Sequence, residues 1–463
     1  MTVSIGLPML DTQWTADLCV KCNICTAACP VAAVTDLFPG PKVVGPQAQR
    51  YRAPGAPSVD RAVDYCSGCG VCSRVCPHGV RIAEMNIVAK AQAAQRGGLP
   101  LRNRLVGRSE WIGRLGSWFA PISNLPIQNG WLRALAERVM GVSRGVAFPR
   151  FARQTFRAWF EADQTKRDKQ GGQRQPIGGP RELAGIDPGA PETRGASAGT
   201  NPATSDGSGA MAERPKVVYF HGCSANYYEP RVGQAAVRVL RHIGCEVTIA
   251  EQNCCGLPMQ SNGEFDAARA YARANLRKLA PYVRQGYVIV GTSTSCTLTF
   301  KHEYEAVLGL AGDDLKAVAG ATYDFFEFLE MLAAEGRLPT DLGPVRPAAL
   351  AYHAPCQLRT HGVGRPAADV LRRVPGLSVT ETHAECCGVA GTYALKADKY
   401  KIALDVGREL FDEVKATGAG AVACDSETCR WWIAQHTGLP AMHPVEVLAE
   451  AYGLTPGATG QDT

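Results

Sequence analysis

The sequence predicts an α+β multidomain chain with a helical N-terminal module, an Arg/Trp-rich helical connector and two duplicated α/β half-domains. Three observations carry that prediction. Eight cysteines crowd into the first 76 residues at a repeated spacing, a Gly/Ser/Pro-rich stretch divides the chain near its middle, and the C-terminal half repeats itself landmark by landmark. At 463 residues the chain exceeds one ordinary core and calls for roughly two to four domains.

The N-terminal module, residues 1–96, contains CxxCxxCxxxCP twice. Cys19, Cys22, Cys25 and Cys29 precede Pro30, and Cys66, Cys69, Cys72 and Cys76 precede Pro77. Three thiolates from one short loop can reach three irons of a cubane, while the fourth cysteine is carried off by the following helix. In two-cluster ferredoxins that fourth cysteine ligates the other cluster. The predicted ligand sets are therefore crossed: Cys19, Cys22, Cys25 and Cys76 for one [4Fe–4S] cluster, and Cys66, Cys69, Cys72 and Cys29 for the second. Ala27, Ala28, Gly68 and Gly70 are small enough to let backbone amides approach the sulfides. Zinc also accepts four cysteines, usually from paired CxxC elements, and two tandem copies ending in Cys-Pro speak against it. An Ala-rich run over 82–95 predicts a helix.

Residues 97–160 form a basic aromatic segment without cysteine. Ten arginines face only Glu110 and Glu137, interleaved with Trp111, Trp118, Trp131 and Trp159. Three readings fit: helices packed on the C-terminal domains, a docking site for a partner subunit, or a membrane surface with rings at headgroup level. Docking to a membrane or partner is preferred over plain packing. Nucleic acid also attracts arginine with aromatics, but no recognition fold accompanies them, so no nucleic-acid partner is expected. Residues 161–215 change to a Gly, Ser, Ala, Thr and Pro mixture that cannot offset its ordering entropy by burial, which predicts a flexible linker.

From Lys216 onward the texture is α/β. Residues 217–220, 247–250 and 288–290 read as buried parallel strands, and 233–242 and 266–279 have helical periodicity. This part is an internal repeat, with half-domains at 216–335 and 345–455. VVYFHGC, NCCG and VIVGTSTSC in the first copy answer LAYHAPC, ECCG and AVACDSETC in the second. Cys254 follows Cys223 by 31 residues and Cys386 follows Cys356 by 30; Cys296 follows Cys255 by 41 and Cys429 follows Cys387 by 42. Adjacent cysteines pair poorly with each other but can project both thiolates into one metal cavity, and their repetition argues against simple packing thiols. The candidate sets are Cys223, Cys254, Cys255 and Cys296 in the first CCG half, and Cys356, Cys386, Cys387 and Cys429 in the second, each holding a further iron–sulfur cluster or a zinc ion. Cys245 has no counterpart and is assigned to packing. His221 and His353 are expected at equivalent places near each leading cysteine, to bond a cluster sulfur, relay a proton or hold the turn.

Several classes are excluded. There is no P-loop and no dinucleotide fingerprint, so a flavin or nucleotide belongs to another chain. No basic segment followed by an apolar run opens the chain, and no apolar stretch reaches the roughly 18 residues of a membrane span. An intracellular place is expected, where dense cysteine clusters are metal sites rather than disulfides. The net charge of +6 is too modest to indicate an acidic partner.

The pieces CVKCNICTAACPV, FHGCSANYYEP, CCGLP, TSTSCTLTFKHEY, YHAPC, ECCGVAGTY and DSETCRWWI together resemble the CCG-domain iron–sulfur subunits of anaerobic glycerol-3-phosphate dehydrogenase, of glycolate and lactate oxidising systems, and of heterodisulfide reductase. The glycerol-3-phosphate system is the nearest. The resemblance implies a peripheral protein at the cytoplasmic membrane face, passing electrons from flavoprotein dehydrogenase subunits to a quinone such as menaquinone in anaerobic respiration. A heterodisulfide-reductase-like catalytic role and a glycolate or lactate donor are the alternatives. In heterodisulfide-reductase-like members the motif ends in CxxC, but Ser293 and Ser426 stand at those first positions here, with Cys424 two residues earlier as a possible replacement in the second half. A five-cysteine non-cubane cluster is thereby disfavoured, most of all in the first half.

Overall fold

The computed structural model describes residues 16–52, 61–169 and 214–454. Each C-terminal half is built on four parallel strands. In the first, β1 (Lys216–Phe220), β2 (Glu246–Thr248), β3 (Val288–Gly291) and β4 (Thr322–Asp324) lie in the order β2-β1-β3-β4. In the second, β5 (Ala349–Tyr352), β6 (Ser378–Glu381), β7 (Ala421–Ala423) and β8 (Ala441–Met442) repeat that order as β6-β5-β7-β8. The central strands are buried on both faces and read as continuous apolar runs, as parallel sheets require. The edge strand β2 stops at Thr248, short of the expected 250, where its pairing with β1 ends.

Helices fill the crossovers. Pro230–His242 turns Val232, Ala235, Ala236, Val239 and Leu240 to one side, and Pro at its first position presets the helical backbone. That helix and Pro444–Ala451 contribute to a core shared by both halves, with Val217, Tyr219, Phe325, Leu350, Tyr352 and Leu448 inside it. The two halves are thus fused through one hydrophobic interior. A buried ion pair, Arg430 with Glu229, also joins them.

The N-terminal module is built of short helical elements, Ile24–Ala27, Val43–Gln47, Ala62–Tyr65 and Val71–Arg74, and a long helix, Ile82–Gly97. Its cysteine-bearing loops lie against the second half, and its long helix places Val88 and Ala91 in the core of the first. Lys399, its side chain 0% exposed, pairs with Asp64, and the Tyr393 hydroxyl donates to the Tyr65 carbonyl at 3.0 Å. Arg74 pairs with Glu385.

The basic segment is helical, at Leu101–Gly107, Ser109–Trp118, Asn124–Gln128 and Gly130–Met140. A fifth helix, Phe156–Lys169, crosses the expected boundary at 160, so the first nine residues of the expected linker are helical. Buried Phe156 and Phe160 and the Arg241–Asp163 pair, at 2.5 Å, hold it to the first half. Residues 170–213 of that linker lie outside the described residues. Among the described residues, no helix is long and apolar enough to cross a membrane.

Candidate metal centres

The two CxxCxxCxxxCP loops share one backbone path. Lys21 and Asn23 in the first, and Gly68 and Gly70 in the second, all have positive φ, between 63° and 81°. This curls each loop round its thiols before the short helix begins. The fourth cysteine of each motif is delivered across to the other loop. Cys19, Cys22, Cys25 and Cys76 line one pocket with Val20, Ile24 and Ile82. Cys29, Cys66, Cys69 and Cys72 line a second with Val31, Phe38 and Val71. Cys22 is exposed, whereas Cys25, Cys29, Cys66 and Cys72 are buried.

In the C-terminal halves the cysteines sit at the carboxyl ends of parallel strands, the place where open α/β sheets gather ligands. Cys223 follows β1, Cys254 and Cys255 follow β2, and Cys296 lies in the Thr294–Leu298 helix after β3. Cys356, Cys386, Cys387 and Cys429 repeat the placement. The glycine of each CCG explains itself sterically. Gly256 and Gly388 have φ of +93° and +90°, and a Cβ on Gly388 would meet the Ala403 carbonyl at 2.0 Å. Only glycine lets the paired cysteines turn back beneath the Ala397–Ala416 helix.

The thiols of each half are in mutual contact. The neighbouring thiols of Cys223 and Cys255 hold Cys254 well below the ordinary thiol range, and those of Cys356 and Cys387 do the same for Cys386. Cys387 Sγ lies 2.9 Å from Cys429 Sγ, and the Gly388 amide donates to Cys386 Sγ at 3.3 Å. Cys424, fully buried at the end of β7, points its thiol to Cys429, making the second half a five-thiol group. Its register counterpart in the first half is Gly291. Ser293 and Ser426 instead precede the helices that carry Cys296 and Cys429, with Ser293 donating to Glu427 at 3.4 Å.

The histidines correct an expectation. Tyr219 pairs in register with Val290, and Tyr352 with Ala423, so the two tyrosines are the equivalent residues. His353 then corresponds to Phe220 and His221 to Ala354. His353 bonds Thr382 at 3.0 Å and His221 bonds the Gly222 carbonyl, while burial lowers both imidazoles, His221 to about 4. Cys245 lies in the shared core, and burial lifts its thiol to about 12.

These donor sets suit iron–sulfur groups. Burial raises Cys29 to about 11 and moves Cys25 and Cys72 upward, each worsened by neighbouring thiols. Four such thiolates can coexist only round a cationic centre. Among the described residues no three His, Cys, Asp or Glu side chains are placed to close on a single ion. The thiols line pockets instead.

Sequence reasoning missed the residues that hold the loops. Glu110, from the basic segment, accepts the Cys254 amide at 3.0 Å. Asn275 accepts from the Asn253 amide and donates to the Cys254 carbonyl, and the Tyr304 hydroxyl donates to the Cys255 carbonyl at 2.8 Å. Arg359 donates to the carbonyls of Ala354 and Ala384. Apart from the Arg359–Ala354 bond, five residues apart, each bond joins a lone polar residue to a partner distant in sequence, and Glu110 alone had a signal, as one of only two acids in its segment.

Two kinds of cysteine site on this fold define an iron–sulfur protein with duplicated cysteine-rich domains. A family described as 4Fe-4S dicluster domain matches residues 15–80, and one described as cysteine-rich domain matches 217–301 and 350–434. The chain is 30% identical over 448 residues to the C subunit of anaerobic glycerol-3-phosphate dehydrogenase from Escherichia coli K12, covering 96% of this chain and 100% of that protein. It is 30% identical over 253 residues to lactate utilization protein A of an Exiguobacterium species, covering 51% of this chain and 98% of that one. The Bacillus cereus B4264 protein of the same name is 33% identical over 215 residues, 44% of this chain and 84% of the relative. The chain belongs to the family of the anaerobic glycerol-3-phosphate dehydrogenase C subunit.

Proposed function

We propose that this chain is the electron-transfer subunit of a glycerol-3-phosphate dehydrogenase, taking electrons from a flavoprotein partner and delivering them to a quinone at the membrane surface. The observation that carries the reading is the end-to-end likeness to the Escherichia coli dehydrogenase relative, joined to two adjoining pockets that each gather four cysteines from crossed motifs. Cys19, Cys22, Cys25 and Cys76 hold one [4Fe–4S] cluster, and Cys29, Cys66, Cys69 and Cys72 the other. The set around Cys254 and that around Cys386, with Cys424, hold the further groups. When bound, these groups supply one-electron carriage without proton chemistry. The protein's own residues seat them: apolar side chains exclude water and Glu110, Asn275 and Arg359 fix the cysteine-bearing loops.

The basic segment serves as the membrane-facing surface. Trp111, Leu115 and Trp118 recur on one side of their helix and stand exposed, while Gly113 and Gly116 press the opposite side onto Tyr227 and Phe151. Gly130–Met140 buries no residue and exposes Trp131, Leu135 and Val139 along one stripe. Apolar faces flanked by arginines suit an anionic lipid surface. The domain limits follow: metal module to residue 96, surface segment to 169, and two cysteine-rich halves from 216 and 345.

Reconstituting the chain with its flavoprotein partners and a menaquinone analogue tests the proposal. Glycerol 3-phosphate should drive quinone reduction only when this chain is present. Equal quinone reduction by the flavoprotein alone would refute it. The lactate utilization relatives make lactate the second substrate to test.

A further inference from the structure

The chain order of the cysteine sets is not their order in space. Cys29 and Cys66 share one buried core with Cys386, Cys387, Cys424 and Cys429, and Cys69 and Cys356 pack against it. Cys254, Cys255 and Cys296 belong to a different core, with Cys223 against it. The N-terminal module therefore meets the first half through its long helix, at Val88 and Ala91, but meets the second half at thiol level, past the first half in sequence.

The helix Cys356–His361 is wedged between the two neighbouring sites. On one side, Gly70, between Cys69 and Cys72, is so close that a Cβ there would lie 2.6 Å from Thr360 Oγ1, and that hydroxyl donates to the Cys356 carbonyl at 2.9 Å. On the other side, Gln357 accepts from Ser295, the residue before Cys296, and His361 bonds the Thr294 carbonyl at 3.1 Å. The first half in turn touches the exposed basic segment through Glu110 and the Cys254 amide. At the far end, exposed Cys22 shares its pocket with exposed Val20 and Ile24.

We propose that electrons cross the chain from the Cys22 site to the Cys69 site, then to the second cysteine-rich half, and only then to the first, with the Cys356–His361 helix as the junction. Each transfer moves one electron between sites and breaks no bond. A reduced flavin donor is oxidised at one end and a quinone is reduced at the other. This order rests on the iron–sulfur reading of both halves, but not on the identity of the oxidised substrate.

The test is freeze-quench electron paramagnetic resonance on the intact holoprotein, with reduced flavodoxin as a one-electron protein donor too bulky to reach buried Cys254. In a Cys386→Ser/Cys387→Ser variant the N-terminal signals should appear at the parent rate and the first-half signal on the order of a hundredfold later. A Cys254→Ser/Cys255→Ser variant should fill its second half at the parent rate. Thr360→Phe keeps every cysteine and should slow second-half reduction by about tenfold at unchanged iron content, which covers the case in which the cysteine variants fail to fold. First-half reduction at the parent rate without the second-half site, or an unaltered rate in Thr360→Phe, overturns the order. A parent protein in which neither half becomes paramagnetic overturns the underlying iron–sulfur reading, and is recognised by that silence.

Discussion

Single residues decide whether the cysteine sites close. Gly388 combines φ of +90° with the backbone of the Ala397–Ala416 helix in the space a methyl would need. Gly388→Ala is expected to cost about 3 kcal/mol or more, through strain and steric overlap together. Iron analysis should show the second-half metal lost while the N-terminal signals persist. Glu303 is a different kind of residue. Its carboxyl accepts from Gln260 at 2.9 Å and Thr299 at 3.2 Å, and burial lifts its pKa to about 7. An unfolded glutamate titrates near ~4.3. The folded chain thus keeps a proton that the unfolded chain releases, and this contribution is full below the lower value and lost as pH rises to 7. Glu303→Gln should match the parent near pH 4 and exceed it by roughly 2 kcal/mol at pH 8, read from urea unfolding midpoints.

At the scale of elements, the basic segment turns the usual amphipathic rule around. Gly113, Gly116 and Ser117 face the protein while Trp111, Trp118 and Trp131 face outward, with Trp118 76% and Trp131 72% exposed; Trp159 instead packs on the shared core. Trp118→Ser with Trp131→Ser removes no buried contact and should leave stability within about 0.5 kcal/mol. Flotation on vesicles containing anionic lipid should fall sharply. Retained flotation would place the membrane contact elsewhere. The segment's helices were legible as a unit from composition, but their facing was not, since either side offered apolar residues and only the positions of Tyr227 and Phe151 settle it.

Across the whole molecule, the duplicated halves were the most legible feature. Strand, CCG pair and third cysteine recur at nearly equal spacing, and both sheets have the same strand order. Crossed pockets in the N-terminal module also followed from motif spacing. Contacts across long sequence distances were not readable. Lys399 and Asp64 are partners 335 residues apart, and nothing local marks a helical lysine as destined for full burial. Lys399 also stacks on Tyr65 at 4.1 Å, and Asp64 is held down to about 2 by Lys90 and Lys399 together. Since Asp64 is nearly half exposed, Lys399→Met should cost only about 1–2 kcal/mol. Its sharper effect should be looser seating of the N-terminal module, seen as faster limited proteolysis around 61–76.

Exposure at Cys22 sets the order in which the chain ages in air. Of the eight N-terminal thiols it alone is exposed, whereas the CCG thiols are buried or only partly accessible. Dissolved oxygen and peroxide reach an accessible sulfur first, and oxidation beyond the sulfenic state is not reversed by simple thiols. Aerobic storage should therefore disable the outermost site while the buried ones still look intact. On the proposed electron path, such a preparation would keep most of its colour and iron and yet refuse electrons from its flavin donor.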